Sequence, residues 1–271
     1  MQSFQPEIVF HMAAQALVKK SYADPAHTFD TNVMGSVNLL DAVRQCSTVR
    51  SLVYITSDKC YENLEWVWGY RENDQLGGHD PYSSSKAAAD IATQSWVSSF
   101  EVQNISIARA GNVIGGGDWG ADRLMPDLVR AFSSSSKAQI RYPNAVRPWQ
   151  HVGDCLNGYI ALSKKMLDDQ VCGEWNFGPA INIENTVAKV ANLASAAWGG
   201  DAGWSVGSEP QPHEAGYLLL DSTKARTNLG WADKLEFSEA IKWSMAFYKD
   251  VESGTSPRKA LEDQIQAFLS L

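Results

Sequence analysis

Leu52-Val53-Tyr54-Ile55-Thr56-Ser57-Asp58-Lys59, followed after a loop by Asp80-Pro81-Tyr82-Ser83-Ser84-Ser85-Lys86, is the stretch whose reading decides the fold. Its apolar run reads as a strand buried on both faces, the signature of a parallel sheet. Polar residues delivered at the carboxyl end of such a strand stand where open α/β sheets bind ligands. Asp80-Pro81 is a helix start, because Asp caps free backbone donors and Pro fits the first helical position. The helix is expected to run over 82–100.

Working outward, residues 7–10 (Glu-Ile-Val-Phe) read as a short strand, with a helical stretch at 25–46 and another strand at 105–108. Strand, helix, strand, helix, strand implies a parallel sheet with right-handed crossovers. Beyond Arg123 the pieces shorten. Helices are expected near 126–132, 153–167, 183–197, 223–229 and 238–251, and strands near 138–141, 174–177 and 217–220. Residues 60–79, with Trp66, Trp68 and Tyr70, read as a loop over the site. The expected class is α/β, a Rossmann-like parallel sheet over 1–120 with a smaller α/β lobe over 121–271, allowing for crossings back to the first domain.

The chain has 271 residues, 44% of them apolar and 20% charged, which suits a globular protein with a substantial core. A net charge of −8 argues against nucleic acid as a partner, since that affinity comes from neutralising phosphates with Lys and Arg. No apolar run reaches membrane-spanning length and the N-terminus lacks signal-peptide character, so no membrane partner and a cytoplasmic location are expected. Cys46, Cys60, Cys155 and Cys172 lack zinc-ligand spacing and read as reduced thiols, with no metal site expected.

Tyr82 and Lys86 stand four apart and share a helix face. An adjacent ammonium favours the phenolate of a tyrosine, which is otherwise a poor base at neutral pH. Taken alone the spacing is weak, and Lys86 could pair instead with Asp90, one turn on. Ser57, at the end of the preceding strand, strengthens the reading, since its hydroxyl can donate to the oxygen that Tyr82 deprotonates. Asp58 and Lys59 alone could be a solvated turn. Gly115-Gly116-Gly117-Asp118 could let a backbone approach a phosphate, or be a flexible turn.

The set formed by Ser57, Tyr82 and Lys86 resembles the reactive constellation of the short-chain dehydrogenase/reductase superfamily, in its extended, nucleotide-sugar branch. The likeness extends over His11-Met12-Ala13-Ala14-Gln15, Asn32-Val33-Met34-Gly35, Thr56 to Tyr61, Arg109 to Trp119, Arg147 to Val152 and Trp175 to Pro179. Within that branch Asp58-Lys59 is similar to the CDP-glucose group of sugar 4,6-dehydratases, whereas the dTDP-glucose group places Glu after the Asp. The resemblance implies NAD as cofactor and a nucleotide-diphosphate sugar, CDP-glucose, as substrate. Tyr82 would take the C4 hydroxyl proton with help from Ser57 and Lys86, hydride would pass to NAD and return to C6, and Lys59 and Asp58 would serve as base and acid in losing water. An epimerase, which needs no Asp58-Lys59 pair, and a noncatalytic nucleotide-sugar-binding fragment are the alternatives.

By the same resemblance, His11, Ala13, Gln15, Asn32 and Thr56, with Tyr82 and Lys86, would contact the cofactor. Asn112, Arg123, Arg147, His151, Asn176 and Glu214 would contact the substrate. A homodimer or higher homo-oligomer is implied, built on the helices at 25–46 and 82–100. The glycine-rich strand-turn-helix that opens a dinucleotide fold is not found in the chain, whose first strand resembles the family's fourth. The expectation is an N-terminally truncated sheet with unpaired edges, and NAD binding weakened at least about a hundredfold.

Overall fold

The protein's structure is a computed structural model that describes residues 1, 3–100, 104–207 and 215–271. Strand β2 (Ser51–Ile55) follows from its sequence: Val, Tyr and Ile suit a pleated surface, and Leu52 and Val53 are wholly buried. It pairs in parallel with β1 (Ile8–His11) on one side and β3 (Ile105–Ala110) on the other. The loop between β2 and β3 includes the helix started by Asp80-Pro81, here α4 (Pro81–Phe100). Asp80 caps it, accepting from the Ser83 backbone at 3.0 Å and from the Ser83 hydroxyl at 2.6 Å.

The helical stretch after β1 is divided into α1 (Val18–Ala23), α2 (Pro25–Phe29), one π-helical turn (Asp30–Met34) and α3 (Gly35–Arg44). Helix α1 was not foreseen, and the π turn replaces what reads as continuous helix. Leu40 and Val43 of α3 pack with Leu52, Tyr54, Ala89, Ile105 and Ile107, forming the core on one side of the sheet. Among the described residues β1 bonds on one edge only, and Ile8 and Phe10 are exposed.

The chain continues through β4 (Asn112–Ile114), α5 (Leu124–Ser133), β5 (Lys137–Ile140), β6 (Trp149–His151), α6 (Val152–Asp169), β7 (Gly173–Phe177), α7 (Val187–Trp198), β8 (Gly203–Val206), α8 (Thr223–Leu229), α9 (Phe237–Glu252) and α10 (Pro257–Leu269). Strand β7 pairs with β3, giving a parallel four-stranded sheet in the order β1-β2-β3-β7. Two parallel pairs, β4-β6 and β5-β8, stand apart from it. The expected strand at 217–220 is reduced to isolated bridges, Tyr217 to Val146 and Leu220 to Tyr70. Strands β6 and β8 and helix α10 were not foreseen.

The chain forms two compact units. The first comprises Met1–Gly111, Asn157–Phe177 and Leu220–Trp231 and holds the four-stranded sheet. The second comprises Asn112–Leu156, Gly178–Leu219 and Ala232–Leu271, with a core of Met125, Leu128, Val190, Ile241, Met245 and Phe247 among others. No helix among the described residues is long and apolar enough to cross a membrane. All four cysteines are free.

Candidate active site

At the end of β2 the strand stops and the chain turns through a single 3-10 turn, Asp58–Cys60. Ser57 causes it: its extended backbone ends the strand, and its Oγ accepts from the Lys59 amide at 3.2 Å as an N-cap. The Ser57 hydroxyl also donates to Asp58 Oδ1 at 3.0 Å. Consecutive residues of a strand point to opposite faces, and the turn breaks that alternation at Asp58 and Lys59. Asp58 is buried and Lys59 half-buried.

Helix α4 supplies Tyr82 and Lys86, both buried. The Tyr82 amide donates to Ser21 Oγ of α1 at 3.1 Å, which fixes the start of the helix. Burial pushes Lys86 down to about 8, with Cys60 and Asp90 acting in the opposite direction. Its ammonium donates to the Ile55 carbonyl at 3.4 Å. Asp90 is not its ion-pair partner. That carboxylate is taken by Arg109 of β3 through two bonds of 2.8 Å, and by Thr56 Oγ1 at 3.2 Å.

His11 and Asn32 lie in the same unit. His11, at the end of β1, stacks on Tyr54, and burial followed by the charge of Lys86 lowers its pKa. Asn32, in the π turn, accepts from the Gln15 amide at 2.8 Å and donates to the Gln15 carbonyl at 3.0 Å and Ser85 Oγ at 2.8 Å. The Gln15 side chain donates to Thr28 Oγ1 and the Leu17 carbonyl and accepts from the Leu17 amide. These two amides therefore tie the segment after β1 to α4, one residue before Lys86. Ala13 is exposed beside them.

Asn176 of β7 is wholly buried and spent within the fold. It accepts from Tyr61 Oη at 2.7 Å and donates to the carbonyls of Tyr70 and Asp221, which leaves its amide no donor for a ligand. The expected loop over 60–79 is present as a stacked series in which Trp66 lies near Trp68 and stacks on Tyr70, and Tyr70 stacks on Tyr61.

The second unit holds the other expected residues. Asn112 is half-buried at the start of β4, and Arg123, at the N-terminus of α5, pairs with Asp118 at 3.0 Å on the surface. Arg147 is buried and donates to the backbone carbonyls of Val146, Ala215 and Gly216. His151 is buried between Trp243 and Phe268, and burial pushes it down to about 4, so it is neutral. Its Nδ1 accepts from the Gly153 amide at 3.1 Å, placing the ring proton on Nε2. Glu214 lies outside the described residues.

The glycines of 115–117 answer to packing within their own unit. A Cβ on Gly116 would lie 2.0 Å from the Phe247 ring, one on Gly115 would lie 2.5 Å from Val152, and Gly117 has φ +89°. Tyr248 Oη fastens the loop by donating to the carbonyls of Gly115 at 3.2 Å and Asp118 at 2.7 Å.

What the sequence reading missed is the buried set of Asp90, Arg109 and Tyr61, with the half-buried Glu72 beside it. Arg109 Nη1 donates to Tyr61 Oη and to the Glu72 carbonyl, both at 2.9 Å, and Glu72 accepts from the Asn176 amide at 2.9 Å. An Arg within an apolar strand, flanked by Ala108 and Ala110, was the available signal.

A family model described as GDP-mannose 4,6 dehydratase matches residues 1–243. The chain is similar to a CDP-glucose 4,6-dehydratase of Salmonella typhimurium, 44% identical over 278 aligned positions that cover 97% of this chain and 77% of that protein. Among solved structures it is similar in fold to a UDP-glucose 4-epimerase of Thermotoga maritima with UDP-glucose, at TM-score 0.82 and 22% identity over 92% of this chain and 79% of that one. It is likewise similar to a dTDP-glucose 4,6-dehydratase of Bacillus anthracis in complex with NAD, at TM-score 0.77 and 21% identity over 93% of this chain and 75% of that one.

Proposed function

Because the chain belongs to the GDP-mannose 4,6 dehydratase family, we propose that it is an NAD-dependent nucleotide-sugar 4,6-dehydratase, a hydro-lyase converting CDP-glucose to CDP-4-dehydro-6-deoxyglucose. Within the family, the observation that carries this choice is the turn holding Asp58 and Lys59 at the end of β2, in the unit that also holds Tyr82 and Lys86. An epimerase needs only the tyrosine, the lysine and the serine.

The residues present fit the nicotinamide-ribose end of NAD. Lys86 brings three ammonium protons into a buried place where the structure gives it one long bond, to the Ile55 carbonyl, so ribose hydroxyls would supply acceptors that it lacks. His11, Ala13 and Thr56 would line the same end, with Gln15 and Asn32 fixing the segment between them. When bound, NAD would supply a reversible acceptor and donor of hydride.

The chain's own groups handle the protons. Tyr82 takes the C4 hydroxyl proton while the Ser57 hydroxyl donates to the same oxygen, and Lys86 stabilises the phenolate. Once C4 is a ketone, C5 is acidic. Lys59 removes the C5 proton, and Asp58 gives a proton to the departing C6 hydroxyl, so that water leaves; Lys59 then returns its proton to C5 as C6 gains hydride. Asn112, Arg123, Arg147, His151, Asn176 and Glu214 belong to the nucleotide-sugar side of this reading. Arg123, exposed and cationic, is the group best suited to a diphosphate, while Arg147 and His151 brace the backbone of the second unit and Asn176 that of the first. A cytoplasmic homo-oligomer completes the reading.

Incubation with CDP-glucose and NAD, followed by alkali, tests it through the ultraviolet absorbance of a 4-keto sugar. A C4 epimer without that absorbance would indicate an epimerase, and binding without turnover a noncatalytic module. Lys59→Ala should lower dehydration by about 100-fold or more, while C4 oxidation persists. Full dehydratase activity in that variant would reject Lys59 as the C5 base.

A further inference from the structure

The turn that carries Asp58 and Lys59 is capped by Ser57, which accepts from the Lys59 amide and donates to Asp58 Oδ1. Within it the Cys60 amide reaches the Ser57 carbonyl at 3.2 Å and the Tyr61 amide reaches the Asp58 carbonyl at 3.3 Å, both at the long end of useful hydrogen bonds. A short 3-10 turn of this kind takes its shape from what grips its ends. One buried ion pair grips both. At the leading end Thr56 Oγ1 donates to Asp90 Oδ2 at 3.2 Å, and at the trailing end Arg109 Nη1 donates to Tyr61 Oη at 2.9 Å.

Asp90 and Arg109 face each other through two bonds of 2.8 Å, at 0% and 1% side-chain exposure. The guanidinium also lies over the Tyr61 ring, 5.0 Å from its centre, and its Nη1 holds the Glu72 carbonyl, where the loop after the turn returns. Tyr61 passes its own proton on to Asn176. A planar fork is needed here, because only a guanidinium can bond a carboxylate side-on and still point a third donor elsewhere.

We propose that Arg109, held by Asp90, is the positioning residue for Asp58 and Lys59, and so serves the elimination step more than the C4 oxidation. This rests on the dehydratase reading above. The asymmetry comes from where the grip lies: Arg109 takes hold of the turn through Tyr61, beyond Lys59, whereas on α4 it holds Asp90, one turn past Lys86, and Tyr82 and Lys86 keep their places through the helix itself and Ser21. Arg109 touches none of the reacting atoms in this scheme. Its work is to hold the turn from which Asp58 and Lys59 project.

Two variants test it. Arg109→Lys keeps the buried charge and loses the fork, and Tyr61→Phe keeps the ring stack and loses only the hydroxyl that joins Arg109 to Asn176. With CDP-glucose and NAD, both should lower kcat by about 10- to 100-fold with KM within about twofold, the scale expected when reacting groups are misplaced by about 1 Å. Because elimination slows and C4 oxidation does not, the share of enzyme holding reduced nicotinamide during turnover should rise, read by its near-ultraviolet absorbance. Without any ligand, amide hydrogen exchange at Asp58, Lys59, Cys60 and Tyr61 should speed up while exchange in the α4 segment around Lys86 stays as in the wild type.

Should Arg109→Lys fail to fold, Tyr61→Phe carries the test alone. Unchanged kcat with unchanged exchange at the turn would overturn the proposal. So would kcat and KM worsening together with no rise in reduced nicotinamide, the mark of a merely structural pair. A wild type that makes no 4-keto sugar would remove the dehydratase reading instead, and the exchange measurement would still report whether Arg109 holds the turn.

Discussion

Lys86 shows how one residue's surroundings set both a reaction's pH range and a stability slope. Burial pushes it down to about 8 from an ordinary 10.5. In the proposed reaction the ammonium that would support a Tyr82 phenolate is therefore lost as pH rises through about 8, and kcat should fall there. An alkaline limb lying at the ordinary lysine value would contradict this. Stability moves the other way. Between about 8 and 10.5 the unfolded chain binds a proton that the folded chain does not, so the contribution of Lys86 to stability rises with pH across that window and is unfavourable below it. Its residue type and its spacing from Tyr82 are legible in the sequence. That it forms no direct ion pair with Asp90 is not, because an i, i+4 pair is the local expectation and the competitor, Arg109, arrives on a strand 19 residues later in the chain.

Among the elements, those that run long or carry strong punctuation could be read directly. Strand β2 declares itself by an apolar run, and α4 by Asp80-Pro81. Strand β8 (Gly-Trp-Ser-Val) offers neither alternation nor a turn pair, and exists because β5 bonds it from more than sixty residues away in the chain. The missed helix α10 did carry a signal, Ser256-Pro257, whose serine accepts from the Lys259 amide as an N-cap. The glycines of 115–117 were legible as an exception to ordinary backbone, but not what they accommodate, since Phe247 belongs to a helix far along the chain. Gly116→Ala should cost about 1–3 kcal/mol through overpacking against that ring, measured as a lower denaturant midpoint. Combining it with Phe247→Leu should recover part of the loss, and strict additivity of the two changes would argue against their contact.

At the scale of the whole molecule, the first unit is drawn from three separated segments, and its sheet closes only when β7 joins β3. A fragment ending at residue 120 holds Ser57, Asp58, Lys59, Tyr82 and Lys86 but lacks Asn176 and the β7 edge. It should show lost near-ultraviolet circular dichroism and rapid amide exchange at the turn, even where α4 remains helical. A fragment with native-like protection there would show that Tyr61 does not depend on Asn176. The same separation has a consequence in time. Tyr61 and Asn176 are 115 residues apart, and at roughly 5–20 residues per second a ribosome takes on the order of ten seconds to pass from one to the other. For that interval a nascent chain carries Ser57, Asp58, Lys59, Tyr82 and Lys86 without the bond that secures Tyr61, so the turn at the end of β2 is among the last features of the first unit to set.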